Sequence, residues 1–337
     1  FYTMELYLDS ADINEIREVS KYGIVAGVTT TPTFMHRHGI TDIDAAIVEL
    51  SKMVDVIQIE ALGSNADEIV QEAYRQEALG LDRAKTVYKI PVSLEGVKAC
   101  KILTDQGFLV NVHLVYTLQQ AYMAMNSGAT YVCPLVGRLQ DQGHDALALV
   151  QQCVDAVNYY GYNTKVMFSS VRNAEHVRNA INIGVHTVTV PWKIMKQLTE
   201  NNFTTIGTKE FEQHTRLMMV KVSQALKKEN PVAKATDTIA DCLVKMTAGG
   251  FGAVTVVNGA SEAIGIFTDG DLRRLIEAGG SIGDTLSSLE LKKPKSIDAD
   301  ELLYKAQQIF SETKVDELVV TQNGKVVGML DIQQLIE

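Results

Sequence analysis

Tryptophan occurs once in this chain of 337 residues and cysteine four times, and neither cysteines nor basic residues are grouped. Cys100, Cys133, Cys153 and Cys242 show no CxxC spacing, which argues against a zinc site or a disulfide frame and fits reduced thiols. No Lys/Arg cluster stands out against a net charge of −10, so a general nucleic-acid binder is excluded. No run of about 18 apolar residues offers a membrane span. The opening "FYTMELYLDSAD" has no basic stretch followed by an apolar one. The expectation is a cytoplasmic protein with no metal, membrane or nucleic-acid partner. With 46% hydrophobic and 21% charged residues, the chain reads as globular. At roughly 100–200 residues per domain, it has room for one large domain and a small one.

Up to about residue 218, short β-branched runs alternate with amphipathic segments. The strand candidates are "LYLD" (6–9), "VAGVT" (25–29), "VIQIEA" (56–61), "TVYKI" (86–90), "LVNVHL" (109–114), "TYVCPLV" (130–136), "KVMFSS" (165–170) and "HTVTV" (186–190). Helical periodicity fills the gaps, as in "LEGVKACKILTDQG" and "NAEHVRNAINIG", each with a glycine stop. This alternation predicts an α/β fold, a (β/α)8 TIM barrel somewhat shorter than the usual ~250 residues. A doubly wound open sheet would normally show a glycine-rich phosphate turn after an early strand, and "GVTTTP" is not one.

After "KEFEQHTRLMM" the texture changes. Residues 220–337 hold two similar halves, about 220–282 and 283–337, with "EAIGIF" and "KVVGML" as equivalent strands and Gly265 and Gly328 at matching points. Neither half can bury a small sheet alone, so they should pair. The boundary is placed near residues 217–222, leaving 4–217 for the barrel.

In such a barrel the chemistry sits at the C-terminal ends of the strands. Asp9, then Thr29 and Thr31, then Glu60 end the first three strands, and Lys89 lies near the end of the fourth. Asn111 and His113 share one face of the fifth, Arg138 follows the sixth, and Ser170 and Arg172 follow the seventh. Each has a local structural explanation: an ion pair for Lys89, a helix cap for Asp9, a hydrogen-bonded core position for His113, solvated charge for the arginines. Their gathering at one end of one barrel is hard to explain as packing. A lysine in a buried strand near two carboxylates points to Schiff-base chemistry, because desolvation favours the neutral amine that attacks a carbonyl. One acid would move protons on the substrate and the other would manage the water released by imine formation. Two arginines and a serine suit a phosphate. A phosphorylated sugar cleaved or joined beside a ketone would use all these groups.

At these residues the first domain resembles the transaldolase family, including its short, fructose-6-phosphate-aldolase-like branch. The likeness runs through "MELYLDS", "AGVTTTPT", "VYKIPVSLEG", "CPLVGRL", "MFSSVRN" and "KEFEQ", over nearly all of residues 4–217. It implies a covalent imine on Lys89 with no other cofactor, acid/base work by Asp9, water orientation by Glu60, and phosphate held by Arg138, Ser170 and Arg172. Thr29, Thr31 and Asn111 would contact substrate. Three positions depart from the family pattern: Thr31 replaces an Asn, His113 a Thr that helps hold the catalytic water, and Leu135 the Phe or Tyr of the two branches. His113, with a pKa ordinarily near neutrality, is expected to reach the water's position and share proton transfer.

The second domain resembles a tandem CBS pair, and "GIFTDGDLRRL" is close to the pair that ends arabinose-5-phosphate isomerases. That resemblance implies that Thr268 and Asp271 contact the ribose of an adenosine nucleotide. In the second half Asp331 and Gln334 take the matching places, and an acid there would repel phosphate. A purely assembling CBS pair is the competing reading. The expected protein is a transaldolase-type enzyme moving a dihydroxyacetone unit between sugar phosphates, and a homo-oligomer is expected. The alternatives are an aldolase that releases free dihydroxyacetone and a weakly catalytic nucleotide-sensing scaffold.

Overall fold

The computed structural model describes residues 1–336 and divides into two compact units, Phe1–Glu200 and Asn201–Glu337. In the first unit, β1 (Glu5–Asp9), β2 (Gly27–Thr29), β3 (Ile57–Glu60), β4 (Thr86–Pro91), β5 (Leu109–Val115), β6 (Tyr131–Pro134), β7 (Lys165–Phe168) and β8 (Thr187–Val190) follow one another in space as in sequence. All neighbours are parallel, and β8 pairs with β1 to close the barrel. Parallel strands covered on both faces read as nearly continuous apolar runs, which is how these eight were legible.

The pleat sorts each strand. Leu8, Val28, Ile59, Tyr88, Val110, Val112 and Phe168 join the core shared with the helices. Tyr7, Val87, Tyr131, Cys133 and Met167 fill the barrel interior. Asp9 does not cap the first helix, Ile13–Ser20; Asp12 does, accepting from the Asn14 backbone N–H. Asp9 is therefore free for the barrel mouth. No helix among the described residues is long and apolar enough to cross a membrane.

The second unit begins earlier than the texture of the sequence suggests. Helix Asn202–Met219 packs with helix Leu303–Thr313, and its Leu217 enters a core formed by the second half. Two three-stranded sheets follow. One contains β9 (Val232–Lys234), β10 (Ala253–Val257) and β11 (Ala263–Thr268); the other contains β12 (Ser296–Asp298), β13 (Glu317–Gln322) and β14 (Lys325–Asp331). The short leading strands β9 and β12 run parallel to β10 and β13, and sequence reading had not found them.

The halves also exchange their leading segments. Val222 and Leu226 pack into the core of the second half, and Leu286, Leu289 and Leu291 into that of the first. Gly265 and Gly328 make the exchange possible: a Cβ on Gly265 would come within 2.7 Å of Leu291, and one on Gly328 within 2.9 Å of Leu226. Boundaries drawn at 282/283 thus separate segments that pack across them.

Candidate active site

The C-terminal mouth of the barrel encloses a cavity of about 660 Å³. Asp9, Thr29, Thr31, Glu60, Lys89 and His113 line one part of it, and Arg138, Ser170 and Arg172 another. Strand register explains the first group: Asp9 stands level with Thr29, and Glu60 with Lys89.

Lys89 is buried, its side chain 6% exposed. Its Nζ lies 3.6 Å from Glu60 Oε1 and donates to the Thr30 carbonyl at 3.3 Å. Glu60 Oε2 is 2.9 Å from His113 Nε2. One carboxylate therefore stands between the amine and the imidazole, and its Oε1 has no hydrogen-bond partner among the described residues. Burial holds the His113 imidazole below its ordinary pKa, against the opposing effect of Glu60, so the neutral ring is favoured. Beside His113, Leu114 adopts φ 55° where the β5–β6 register shifts. The bulge re-aims the strand end at the cavity.

Asp9 accepts from the Thr29 hydroxyl at 3.0 Å, and Thr29 also meets Thr189. Burial pushes the Asp9 carboxyl up to about 6, with Lys89, the Thr29 bond and Arg138 pulling the other way. Both protonation states of Asp9 are thus accessible slightly below neutrality, as an acid/base group requires.

The arginine side is built by a close crossing. A Cβ on Gly137 would lie 2.2 Å from the Ser170 carbonyl, so only glycine lets these two segments meet. Gly137 N–H donates to that carbonyl at 3.1 Å, and Arg138 N–H donates to Ser170 Oγ at 3.2 Å. These bonds hold Ser170 in the left-handed region, φ 58°, at a conformational cost of about 1–3 kcal/mol. His176 Nδ1 accepts from Arg172 N–H at 3.1 Å, fixing the same loop. The Arg172 guanidinium forks onto Asp141 at 2.8 and 3.2 Å.

Two expected groups are used differently. Asn111 is fully buried and does not line the cavity; its Nδ2 donates to Gln58 Oε1 at 2.7 Å. It is level with Lys89, but the short amide stays in the layer below while the lysine stem reaches upward. Thr31 does line the cavity, with its hydroxyl capping helix Pro32–Arg37 by accepting from Phe34 N–H. Sequence reading missed Arg37, Cys133 and Thr189, which also line the cavity. Cys133 and Thr189 were discoverable from the inward alternation of β6 and β8. In the second unit Thr268 and Asp271 form a capping box for helix Asp269–Glu277, and Asp271 also meets Arg274 at 2.6 Å. Asp331 and Gln334 form the equivalent box.

A closed parallel barrel with buried ionisable groups gathered at its C-terminal mouth defines a TIM-barrel enzyme. The family described as transaldolase/fructose-6-phosphate aldolase matches residues 6–252, and the CBS domain family matches 286–337. A probable transaldolase of Desulforudis audaxviator is 38% identical over 62% of this chain and 95% of its own length. One from a Thermoanaerobacter species is 34% identical over 65% of this chain and 100% of its own. A CBS domain protein of Pyrobaculum aerophilum, complexed with AMP, matches 34% of this chain and 89% of its own at 16% identity, TM-score 0.32. The chain belongs to the transaldolase/fructose-6-phosphate aldolase family and carries a C-terminal CBS domain.

Proposed function

We propose that this enzyme is a class I transaldolase that carries a dihydroxyacetone unit on Lys89 from a ketose phosphate to an aldose phosphate. The observation that carries this reading is the buried Lys89 amine beside Glu60, whose other oxygen meets His113. The free amine adds to the ketone carbon, and loss of water leaves the imine. Asp9 takes the proton of the hydroxyl next to the breaking carbon–carbon bond, the aldose phosphate leaves, and the enamine remains on Lys89. Addition to the acceptor aldehyde forms the new bond, with Asp9 returning the proton. Water then adds to the imine carbon, giving a proton to Glu60, whose orientation His113 holds; that proton passes to the nitrogen, the carbon–nitrogen bond breaks, and the ketose leaves the free Lys89 amine. Arg138, Ser170 and Arg172 receive the phosphate, with Arg172 exchanging or sharing its Asp141 partner.

Borohydride reduction with fructose 6-phosphate, followed by peptide mass spectrometry, tests the reading. A covalent adduct on Lys89, absent from Lys89→Met, is expected; an accessible, unmodified Lys89 would leave the barrel a scaffold. Products formed without an acceptor aldehyde separate transfer from simple release of dihydroxyacetone. For the second unit the Thr268–Asp271 pair supports an adenosine nucleotide as ligand, while its complete use as a helix cap supports assembly of a homo-oligomer. Equilibrium dialysis with AMP and ATP distinguishes them.

A further inference from the structure

We infer that His176 is a positioning residue that keeps Arg138 and Arg172 in register for a substrate phosphate; this rests on the reading that Arg138, Ser170 and Arg172 receive that phosphate. His176 lies in helix Ala174–Ile183 and is 5% exposed. Its backbone N–H donates to Asn173 Oδ1 at 2.9 Å, so the ring leaves from a capped first turn. Its Nδ1 accepts from Arg172 N–H at 3.1 Å, and its Nε2 lies 2.8 Å from Gln140 Oε1. A backbone N–H only donates, so Nδ1 is bare and the ring proton sits on Nε2, donated to Gln140. The neutral ring in that one tautomer makes both bonds. Burial and the Arg172 guanidinium hold the imidazole below its ordinary pKa, against the opposing effect of Glu175, which favours that neutral form. The ring therefore ties the Arg172 backbone to helix Val136–Asp141, the helix that carries Arg138.

The tie acts where the strands have stopped. β6 and β7 pair at Tyr131–Lys165 and Val132–Val166, with one further bridge at Leu135–Ser169. Beyond that bridge the two segments are joined by the Gly137 and Arg138 bonds to Ser170, by the Arg172–Asp141 fork and by the His176 link. The fork does not hold unchanged throughout the reaction, because Arg172 exchanges or shares Asp141 when it takes phosphate. The His176 link grips the Arg172 backbone rather than its guanidinium, so it survives that exchange. The guanidinium is free to turn while its backbone stays fixed against the helix bearing Arg138. Bidentate recognition of phosphate depends on such spacing, and a misplacement of about 1 Å can cost about 10²-fold.

The test compares the half-saturating concentrations of two ketones in borohydride trapping on Lys89: fructose 6-phosphate, and dihydroxyacetone, which carries no phosphate. His176→Phe keeps an aromatic ring and removes both bonds, while Gln140→Leu, at an exposed position, removes only the second. Arg138→Ala is the control for the phosphate reading. His176→Phe is expected to raise the fructose 6-phosphate value about tenfold relative to the dihydroxyacetone value, and Gln140→Leu about threefold. His176→Asn, whose amide oxygen can replace Nδ1, should recover most of the loss. Should His176→Phe not fold, Gln140→Leu carries the test. A wild-type ratio in these variants, or an equal rise for both ketones, would overturn the positioning role alone when Arg138→Ala still raises the ratio. A wild-type ratio in Arg138→Ala as well would overturn the phosphate reading and the positioning role together. Absence of any adduct on wild-type Lys89 would overturn the imine reading and this inference with it.

Discussion

Among the described residues two carboxyl groups are displaced upward, one in each unit, and their surroundings differ. Asp9, at about 6, is buried among Lys89, the Thr29 hydroxyl and Arg138, all of which favour its charged form. Glu317, at about 7, is raised by burial and then by Asp331, Asp316 and Asp269, with a Gly252 backbone bond as the opposing effect. Its Oε1 and an Asp269 oxygen approach Gly252 so closely that a Cβ there would lie 2.8 and 3.3 Å from them. A raised carboxyl is therefore not by itself a sign of catalysis. Cations of fixed position around it, in a cavity with a nucleophile, make Asp9 an acid/base candidate; neighbouring acids make Glu317 a liability for stability.

Three substitutions would sharpen or break this contrast. The largest effect is expected for Asp9→Asn, which should lower kcat/KM by about 10²–10⁴-fold. It should also remove an acid limb near pH 6 from the wild-type profile, since bond cleavage needs the Asp9 carboxylate. A retained limb would take Asp9 out of the proton transfer. Next comes His113→Thr, which frees Glu60 Oε2. A loss of about 10–100-fold is expected from the misplaced carboxylate, with a changed pH profile. An unchanged rate and profile would reduce His113 to packing.

Glu317→Gln should have the smallest effect, on stability alone. Below about pH 4.5 both folded and unfolded chains hold this proton. Between there and about 7 the unfolded chain releases it while the folded chain keeps it, so the native state loses stability as pH rises, and the full cost persists above 7. Glutamine should remove that dependence, raising stability at pH 8 by on the order of 1 kcal/mol after solvent screening, with little change at pH 4. Denaturant unfolding at the two pH values reads the difference; equal shifts at both would remove Glu317 from the pH response.

The eight barrel strands were legible because burial on both faces writes itself into local composition, and the polar residues at their ends stood out against it. Lys89, Glu60 and Asp9 could be nominated for the same reason. The His113–Glu60 bond could not, because it joins strands 53 residues apart. Arg37 carries no local sign that its helix, Pro32–Arg37, stands at the barrel mouth. The second unit was legible as two repeats, but its exchanged segments were not: Leu226 and Leu291 carry no local sign of the sheet they will cover.

The order of the residues by itself determined the alternation of strand and helix, the repeat in the second unit, and which side chains would be too polar for an ordinary barrel core. Only the tertiary structure decided that Asn111 stays below the cavity while Lys89 from the neighbouring strand reaches into it. It also decided that Glu60 divides its two oxygens between amine and imidazole. Periodicity and composition are local properties of the chain, whereas side-chain reach, shared partners and burial depend on closure of the barrel.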